Sequence, residues 1–516
     1  MGTSSPTRTT GNYVPLLIGT FVIAVSGLVY ELIAGTLSSY LLGDSVYQFS
    51  IVIGLFMTAM GLGSYLSRFI IDRIEQAFVI TQIALGLIGG LAALFLFFAF
   101  VYLDNYQAFL FLICIAIGTL VGLEIPLIIR ILKQERTLEI NISNILTVDY
   151  IGALVAALLF PLVLVPTLGL ISTGLVFGIL NLAVAGLAAG LLRKRVGRTP
   201  VVIVVASIAA LVVGLVVSER MVKMIEAKLY HDEIIYAETT PYQRIVATHQ
   251  NGHIRLFLNG ALQFDSVDEH RYHETLVHPA LSLAQRPESV LVLGGGDGMA
   301  VREILRWQDV GTVTLVDLDP AVTKLFRDHP DLSALNDQAL NDPRVSVINQ
   351  DAFEFLNADE DLYNVILIDL PDPKSPSLSK LYSLAFYTAA ARRLARDGVL
   401  VTQATSPVYA REAFWSIAST LEAVTDPYRD GKTLSVIPFH AYVPSFGDWG
   451  FVMTSPATLD WQAIRLPHDL RFLNGDMLPG LLQFPPDIER LPVTINTLQD
   501  HPLIRYYEQG WSRYFH

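Results

Sequence analysis

A single cysteine, Cys114, stands in a chain of 516 residues, and it lies inside an apolar run. No disulfide can form within one chain, and a cysteine-ligated zinc site is excluded with it. Charge is scarce too: Asp, Glu, Lys and Arg make up 16% of the residues against 52% hydrophobic ones, and the mean hydropathy is +0.47. That balance is too apolar for an ordinary soluble enzyme, and the chain is too long for one domain. Positive charge is the scarcer sign, with 35 Lys and Arg against 48 Asp and Glu for a net charge of −13. The deficit sits in the C-terminal part, because up to Val217 about 10 basic and about 9 acidic residues nearly cancel. With no basic surface to release counterions from a phosphate backbone, nucleic acid is excluded as a partner and cationic ligands are favoured.

What the first part has in abundance is apolar sequence. Runs long enough to cross a bilayer extend from Tyr13 to Leu42, Ser50 to Ile70, Ala77 to Val101, Ala108 to Ile129, Ile145 to Val165, Leu168 to Leu192 and Val201 to Val217. At about 20 residues per crossing these make about seven spans, so residues 1–217 are expected to form a multi-pass helical domain in the cell membrane. A cleaved signal peptide would be one run behind a basic start, not a repeated pattern. Arg68 and Arg73, then Arg130, Lys133 and Arg136, then Arg193, Lys194, Arg195 and Arg198 mark every second connection as cytoplasmic. Asp44 and Asp104 stand in the intervening loops. Seven crossings from a cytoplasmic N-terminus would put the chain after Val217 outside the cell. A re-entrant fifth run, with Asn141, Asn144 and Asp149 at its mouth and Pro161 and Pro166 near its end, would return it to the cytoplasm, as would two passes within the long first run. Glu31 and Glu124 fall within spans, where a carboxyl either binds a cation or holds helices together. Gly61-Leu62-Gly63-Ser64 suits close helix packing.

After Val217 the hydrophobic period changes. Ile234-Ile235-Tyr236, Arg244 to Ala247 and Ile254 to Leu258, the last before Asn259-Gly260, predict a small β-hairpin or meander domain, which with a linker takes residues 218–278. Residues 279–516 read as α/β. Strands Ser289–Leu293, Thr312–Val316, Val345–Ile348, Val365–Ile368 and Val399–Thr402 alternate with helical stretches, which predicts a doubly wound, Rossmann-like parallel sheet of methyltransferase type. Ligands bind such sheets at the carboxyl ends of the strands, and here those ends carry acids and glycines.

The first strand runs into Gly294-Gly295-Gly296-Asp297-Gly298, and the second ends in Asp317. A glycine turn lets backbone amides approach a ligand, and an acid ending the second strand suits a ribose diol, so the pair points to a nucleoside. Asp297 within the turn would repel a pyrophosphate, and equally the carboxylate of S-adenosylmethionine, but would attract an ammonium. A nucleoside with an ammonium arm and no carboxylate describes decarboxylated S-adenosylmethionine. At this point the segment Tyr242 to Phe451 resembles spermidine synthase. The resemblance rests on Pro241 to Ile245, Asp268-Glu269-His270-Arg271-Tyr272-His273-Glu274, the glycine turn, Asp317-Leu318-Asp319, Asp342-Pro343-Arg344, Gln350-Asp351-Ala352, Ile368-Asp369-Leu370-Pro371-Asp372-Pro373 and Phe386-Tyr387. With the multi-span N-terminus, the whole chain is similar to the membrane-fused bacterial polyamine aminopropyltransferases.

The resemblance implies transfer of an aminopropyl group from decarboxylated S-adenosylmethionine, as co-substrate, to putrescine or another polyamine, with no metal and no further cofactor. It assigns the nucleoside to Gln243, Asp317, Asp351, Ala352 and Pro376, together with the Gly294 and Gly296 backbone. The polyamine falls to His273, Asp297, Asp372 and Trp449. Asp369 becomes the proton acceptor and Tyr272 the residue orienting the amine. It also implies a homo-oligomer, and the catalytic half is expected on the cytoplasmic face, against the side that seven full spans would give. Met299, where another glycine is usual, and Leu370-Pro371, where small polar residues are usual, depart from the pattern and leave the acceptor amine open. Two rival readings remain at the level of sequence: an S-adenosylmethionine-dependent methyltransferase on the same sheet, and a membrane transporter or sensor whose synthase-like half only binds polyamine. Singly, an Asp-Gly turn, a buried histidine or a tryptophan has a plain structural explanation. Acids at successive strand ends do not, because core packing has no use for them there.

Overall fold

The computed structural model describes residues 13–42, 45–103, 105–133, 138–192, 196–230 and 232–514. Asp44, Asp104, Arg136 and Arg193 to Arg195, used above to orient the loops, lie outside these residues. The chain divides into two compact units, Met1–Ile234 and Ile235–His516.

The first unit is helical: α1 (Tyr13–Leu42), α2 (Ser45–Leu66), α3 (Ile74–Tyr102), α4 (Tyr106–Leu132), α5 (Leu138–Leu159), α6 (Val165–Leu191) and α7 (Thr199–Tyr230). Among the described residues, six continuous helices are long and apolar enough to cross a membrane, not seven. The difference arises because a π-helical turn at Phe160–Leu164 joins α5 to α6 in a run of 53 residues, Glu139–Leu191. Straight, such a run would reach about 80 Å, far more than a hydrocarbon core of about 30 Å. Gly169 breaks it, with φ 71° and ψ 174°. The two legs then pack on different neighbours, α5 on α1 and α6 mainly on α3. The last helix runs on past Val217 to Tyr230, through the stretch read above as linker.

This unit is apolar on its outside as well as in its core. Val14, Ile18, Met57, Leu112, Leu154, Leu162, Val202 and Val216 are exposed, whereas Gln82, Glu124, Asn141 and Asn181 are buried. An apolar exterior over polar packing contacts is what lipid as a solvent demands. Gln82 donates to Glu124 at 2.6 Å, joining α3 to α4. Arg130 donates to the Ser67 and Ile70 carbonyls at 3.0 and 2.6 Å, tying α4 to the turn just after α2. Of the Gly61–Ser64 motif, Gly63 makes the close approach: a Cβ there would lie 2.0 Å from the Thr119 carbonyl oxygen of α4, while Gly61 faces open space.

In the second unit, β1 (Glu233–Thr239), β2 (Arg244–Gln250), β3 (His253–Leu258) and β4 (Ala261–Asp265) form a four-stranded sheet in chain order. Asn251-Gly252 and Asn259-Gly260 both have positive φ throughout, the backbone that two-residue hairpin turns need. The larger sheet has the order β10-β11-β9-β8-β5-β6-β7. Its parallel part comprises β5 (Ser289–Gly294), β6 (Thr312–Asp317), β7 (Val345–Asn349), β8 (Tyr363–Asp369) and β9 (Leu394–Gln403). Strands β10 (Ser435–Val443) and β11 (Gly447–Ser455) pair antiparallel, and β11 runs antiparallel to β9. The sheet is therefore mixed and mostly parallel. Only Pro444 to Phe446 separate β10 from β11, too few residues for the crossover that a parallel neighbour requires. Strand order reverses at β5, which lies between β6 and β8, and the carboxyl ends of β5 and β8 open the crevice in which doubly wound sheets bind ligands.

Candidate active site

The Gly294 position, which ends β5, is in register with Asp369, which ends β8. Gly294 has φ 83°, and a Cβ there would fall 2.0 Å from the Asp369 carbonyl oxygen, so glycine is required for the two strand ends to meet. The Gly295 N–H donates to that carbonyl at 3.0 Å. The turn then delivers Asp297, whose Oδ1 accepts the Met299 N–H at 2.9 Å and whose carbonyl accepts from Asn336 at 2.7 Å. Asp317, at the end of β6, accepts the Gly296 N–H at 3.1 Å and the Asp319 N–H at 2.9 Å. Burial pushes the Asp317 carboxyl up to about 6 in spite of these bonds. It does the same for Asp297, which also reaches about 6 because His273 only partly offsets burial while the charge of Asp369 adds to it.

Helix α8 (Glu269–Leu283) faces these strand ends, and the acidic motif at its start is explained residue by residue. Asp268, before its first turn, accepts the Ser445 N–H at 2.7 Å and the Ser445 hydroxyl at 2.9 Å, tying down the β10–β11 hairpin. Glu269 lies 2.8 Å from His273 Nδ1 and accepts from Arg302 at 2.9 Å. Tyr272, one turn on, donates its hydroxyl to Asp369 Oδ1 at 2.6 Å. Glu274 accepts three consecutive backbone N–H groups, from Arg471, Phe472 and Leu473, at 2.8 to 2.9 Å. Burial works against a charged Glu269, but His273 and Arg302 outweigh it and hold the carboxyl down to about 2. Burial likewise opposes the His273 imidazolium, and Glu269, Asp297 and Asp369 together push it up to about 9. Arg302 passes the network on to Glu303 at 2.9 Å, and Glu303 lies 3.1 Å from His278 Nε2. The Trp307 indole N–H, which can only donate, meets His278 Nδ1 at 3.1 Å, so Nε2 carries the His278 proton toward Glu303.

Beyond Asp369 the chain carries Asp372 into a buried aromatic pocket. Its Oδ2 accepts the Tyr507 hydroxyl at 2.8 Å, and its Oδ1 has no hydrogen-bond partner among the described residues. Burial raises this carboxyl above the ordinary range, with Lys374 acting against the shift. The Leu370 and Pro371 carbonyls both accept from the Tyr382 hydroxyl at 3.0 Å, and Gln403 donates to the Leu370 carbonyl at 2.6 Å. The departure at Leu370-Pro371 is thus a fixed bend that aims Asp372. Trp449 packs on Phe446 with ring centres 5.2 Å apart, and its indole N–H is buried without a partner among the described residues.

Residues 269–460 match the Spermine/spermidine synthase domain family. Over 502 residues the chain is 45% identical to the polyamine aminopropyltransferase of Leptospira interrogans, covering 96% of this chain and 99% of that one. The chain belongs to the polyamine aminopropyltransferase family. Polyamine aminopropyltransferase 2 of Ralstonia nicotianae is 44% identical over 516 residues, covering 96% of this chain and 98% of the other, and the Oceanobacillus iheyensis protein is 41% identical, covering 96% of each. Among solved structures, spermidine synthase with the transition-state analogue AdoDATO aligns with a TM-score of 0.45 at 23% identity, over 49% of this chain and 86% of that one.

In this aminopropyltransferase the fold sets Tyr272 and His273 of α8 against Asp297, Asp317 and Asp369 at adjoining strand ends, with Tyr272 bonded to Asp369. Gln243 is joined to the same region indirectly: it donates to Asp319 at 3.0 Å, beside Thr240 at 2.7 Å. Gly296 spends its amide on Asp317. Asp351 is engaged elsewhere. It caps the helix Ala352–Ala358 by accepting from Phe353 and Glu354, and it pairs with Lys380 at 2.8 Å, just beyond the short helix that Pro376 opens. Met299 is wholly buried, a core residue and not part of the ligand turn. Assigning roles from the sequence missed Glu269, Arg302, Asp319, Tyr382, Gln403 and Tyr507. Glu269 and Asp319 had a signal, the first four residues before His273 on a helical face and the second in the motif Asp317-Leu318-Asp319.

Proposed function

We propose that this aminopropyltransferase transfers the aminopropyl group of decarboxylated S-adenosylmethionine to putrescine, giving spermidine and 5′-methylthioadenosine. The observation that carries the reading is the Asp369 carboxylate at the crevice between β5 and β8, held by Tyr272 at 2.6 Å within a cluster formed with Asp297 and Asp317. An alkylamine attacks only unprotonated, although its free pKa lies near that of lysine, so a carboxylate must take a proton from it. Asp369 is the acceptor in this reading, and Tyr272 orients the pair. The amine nitrogen forms a bond to the aminopropyl carbon as the carbon–sulfur bond breaks. Its electrons return to the sulfonium, and neutral methylthioadenosine leaves. The donor arrives activated, so the step as proposed draws on no metal or cofactor, and holding the two substrates together supplies much of the rate.

Asp297 meets the ammonium of the donor, Asp317 the ribose, and the open oxygen of Asp372 the far ammonium of the diamine, with Trp449 along the alkyl chain. Gln243 reaches the nucleoside through the loop that Asp319 holds. Asp351, with Ala352 and Pro376, takes the adenine, and its amine then competes with Lys380 for the carboxylate. His273, charged through Glu269, sits among Asp297 and Asp369 and spaces their negative charge. The test is Asp369→Asn, which should lower kcat by about 100- to 10,000-fold while methylthioadenosine affinity, read by calorimetry, stays within a few-fold. Full turnover in that variant overturns the base assignment.

A further inference from the structure

Asp372 is reached by a part of the chain far from it in sequence. The helix Pro502–Trp511 lies beyond the segment 269–460 that matches the family domain, yet it carries Tyr507, a buried residue whose hydroxyl donates to Asp372 Oδ2 at 2.8 Å. That helix is docked closely. Leu503 is wholly buried, the Trp511 ring centre lies 4.9 Å from that of Tyr409 and 5.7 Å from that of Tyr507, and a Cβ on Gly510 would fall 2.4 Å from the Tyr409 carbonyl oxygen. Lys374, two residues after Asp372, places its Nζ 5.5 Å from the centre of the Tyr507 ring, within reach of a cation–π contact. A tight turn joins it back to Asp372, whose carbonyl accepts the Lys374 N–H at 2.7 Å, and its charge acts on the Asp372 carboxyl. Carboxylate, phenol ring and ammonium thus form one unit at the end of the crevice away from the glycine turn.

This unit limits how much positive charge an acceptor can bring. The phenol occupies Oδ2, while Oδ1 is buried with no hydrogen-bond partner among the described residues and has room in its chemistry for one ammonium. A diamine whose attacking nitrogen is at Asp369 ends there. A triamine does not: its middle nitrogen comes to Asp372, and a further alkyl arm with a third ammonium has to continue past it. Tyr382 and Gln403 close one side, both bonded to the Leu370 carbonyl, and the Tyr507 ring and the Lys374 ammonium stand on the other. The ring fills the path, and like charge adds to the cost. We infer that Tyr507, together with Lys374, is a specificity-determining residue that confines the acceptor to a diamine and rejects a triamine. The inference rests on the reading of Asp369 and Asp372 as the two anchors of the acceptor, and it adds to that reading a residue from outside the matched domain.

The experiment is calorimetric titration of the full-length protein in detergent, saturated with methylthioadenosine, with putrescine and with spermidine, comparing wild type with Tyr507→Ala, Tyr507→Phe and Lys374→Gln; aminopropyl turnover with each amine is measured on the same samples. Wild type should prefer putrescine. Tyr507→Ala should shrink that preference by about tenfold or more, losing affinity for putrescine and gaining it for spermidine. Tyr507→Phe keeps the ring and loses only the bond to Asp372, so it should weaken both amines and leave the preference in place. Lys374→Gln should raise the affinity for spermidine above that of wild type. An unchanged preference in a folded Tyr507→Ala overturns the inference, and should that variant not fold, an unchanged preference in Lys374→Gln does so. A wild type that binds the two amines alike, or neither, overturns it as well. Putrescine binding without methylthioadenosine release in wild type would instead overturn the reaction assigned to the crevice, while the ratio of affinities still decides the role of Tyr507.

Discussion

Asp297 and Asp317 show how a residue's surroundings set its chemistry. Both are acids at strand ends, both accept backbone amides, and both are nevertheless pushed up to about 6, because burial beside like charge costs more than those hydrogen bonds return. The sign of the consequence is fixed. Above about 6 the two carboxylates are charged and attract a cationic donor; below it they take up protons and the attraction fades. The kcat/KM for the aminopropyl donor should therefore fall by up to about a hundredfold per unit well below pH 6, and in Asp297→Asn, with one such group left, by about tenfold per unit. The same variant should lose more affinity for decarboxylated S-adenosylmethionine than for methylthioadenosine, which lacks the ammonium. An unaltered acid limb, or equal losses for the two ligands, contradicts the role. The sequence already carried Asp297, Asp317 and Asp369, because a carboxylate next to a glycine turn or a strand end has no packing explanation. It did not carry Tyr507 or Gln403, which reach the site from distant parts of the chain with no local pattern.

At the scale of elements, α8 organises the crevice from one side. Its first turns send Asp268 to the β10–β11 hairpin, Glu269 to both His273 and Arg302, Tyr272 to Asp369 and Glu274 to the loop at Arg471, all within seven residues. A run of charge that reads as a solvated face is largely buried, because each group finds a specific partner. Asp268→Asn should loosen the hairpin that carries Trp449, raising the KM for the amine several-fold with little change in kcat or in the KM for the donor. A loss confined to kcat would show that Asp268 acts on Asp369 instead. The alternation of strand and helix was enough to place β5 to β9 within a residue or two at most ends. Strands β10 and β11 were not among the strands read from the sequence, and their antiparallel sense follows from the short connection between them.

At the scale of the molecule, the apolar runs were plain in the sequence, while their count depended on one backbone position. Pro161 and Pro166 looked like the end of a span, yet the chain continues through them in a π-helical turn and breaks at Gly169. Loop charge predicts that the Arg198 connection faces the cytoplasm. A cysteine placed there, Arg198→Cys, should react with a membrane-impermeant maleimide only after cells are opened; labelling in intact cells contradicts that orientation. Cys114, buried in α4, leaves a low background.

Aminopropyl transfer is tested most simply by incubating the full-length protein in detergent with decarboxylated S-adenosylmethionine and a panel of amines, reading both products by mass spectrometry. Methylthioadenosine and spermidine should appear in equal amounts with putrescine, with no methylated product from S-adenosylmethionine. Nucleoside binding without release of methylthioadenosine in the presence of any diamine would contradict it.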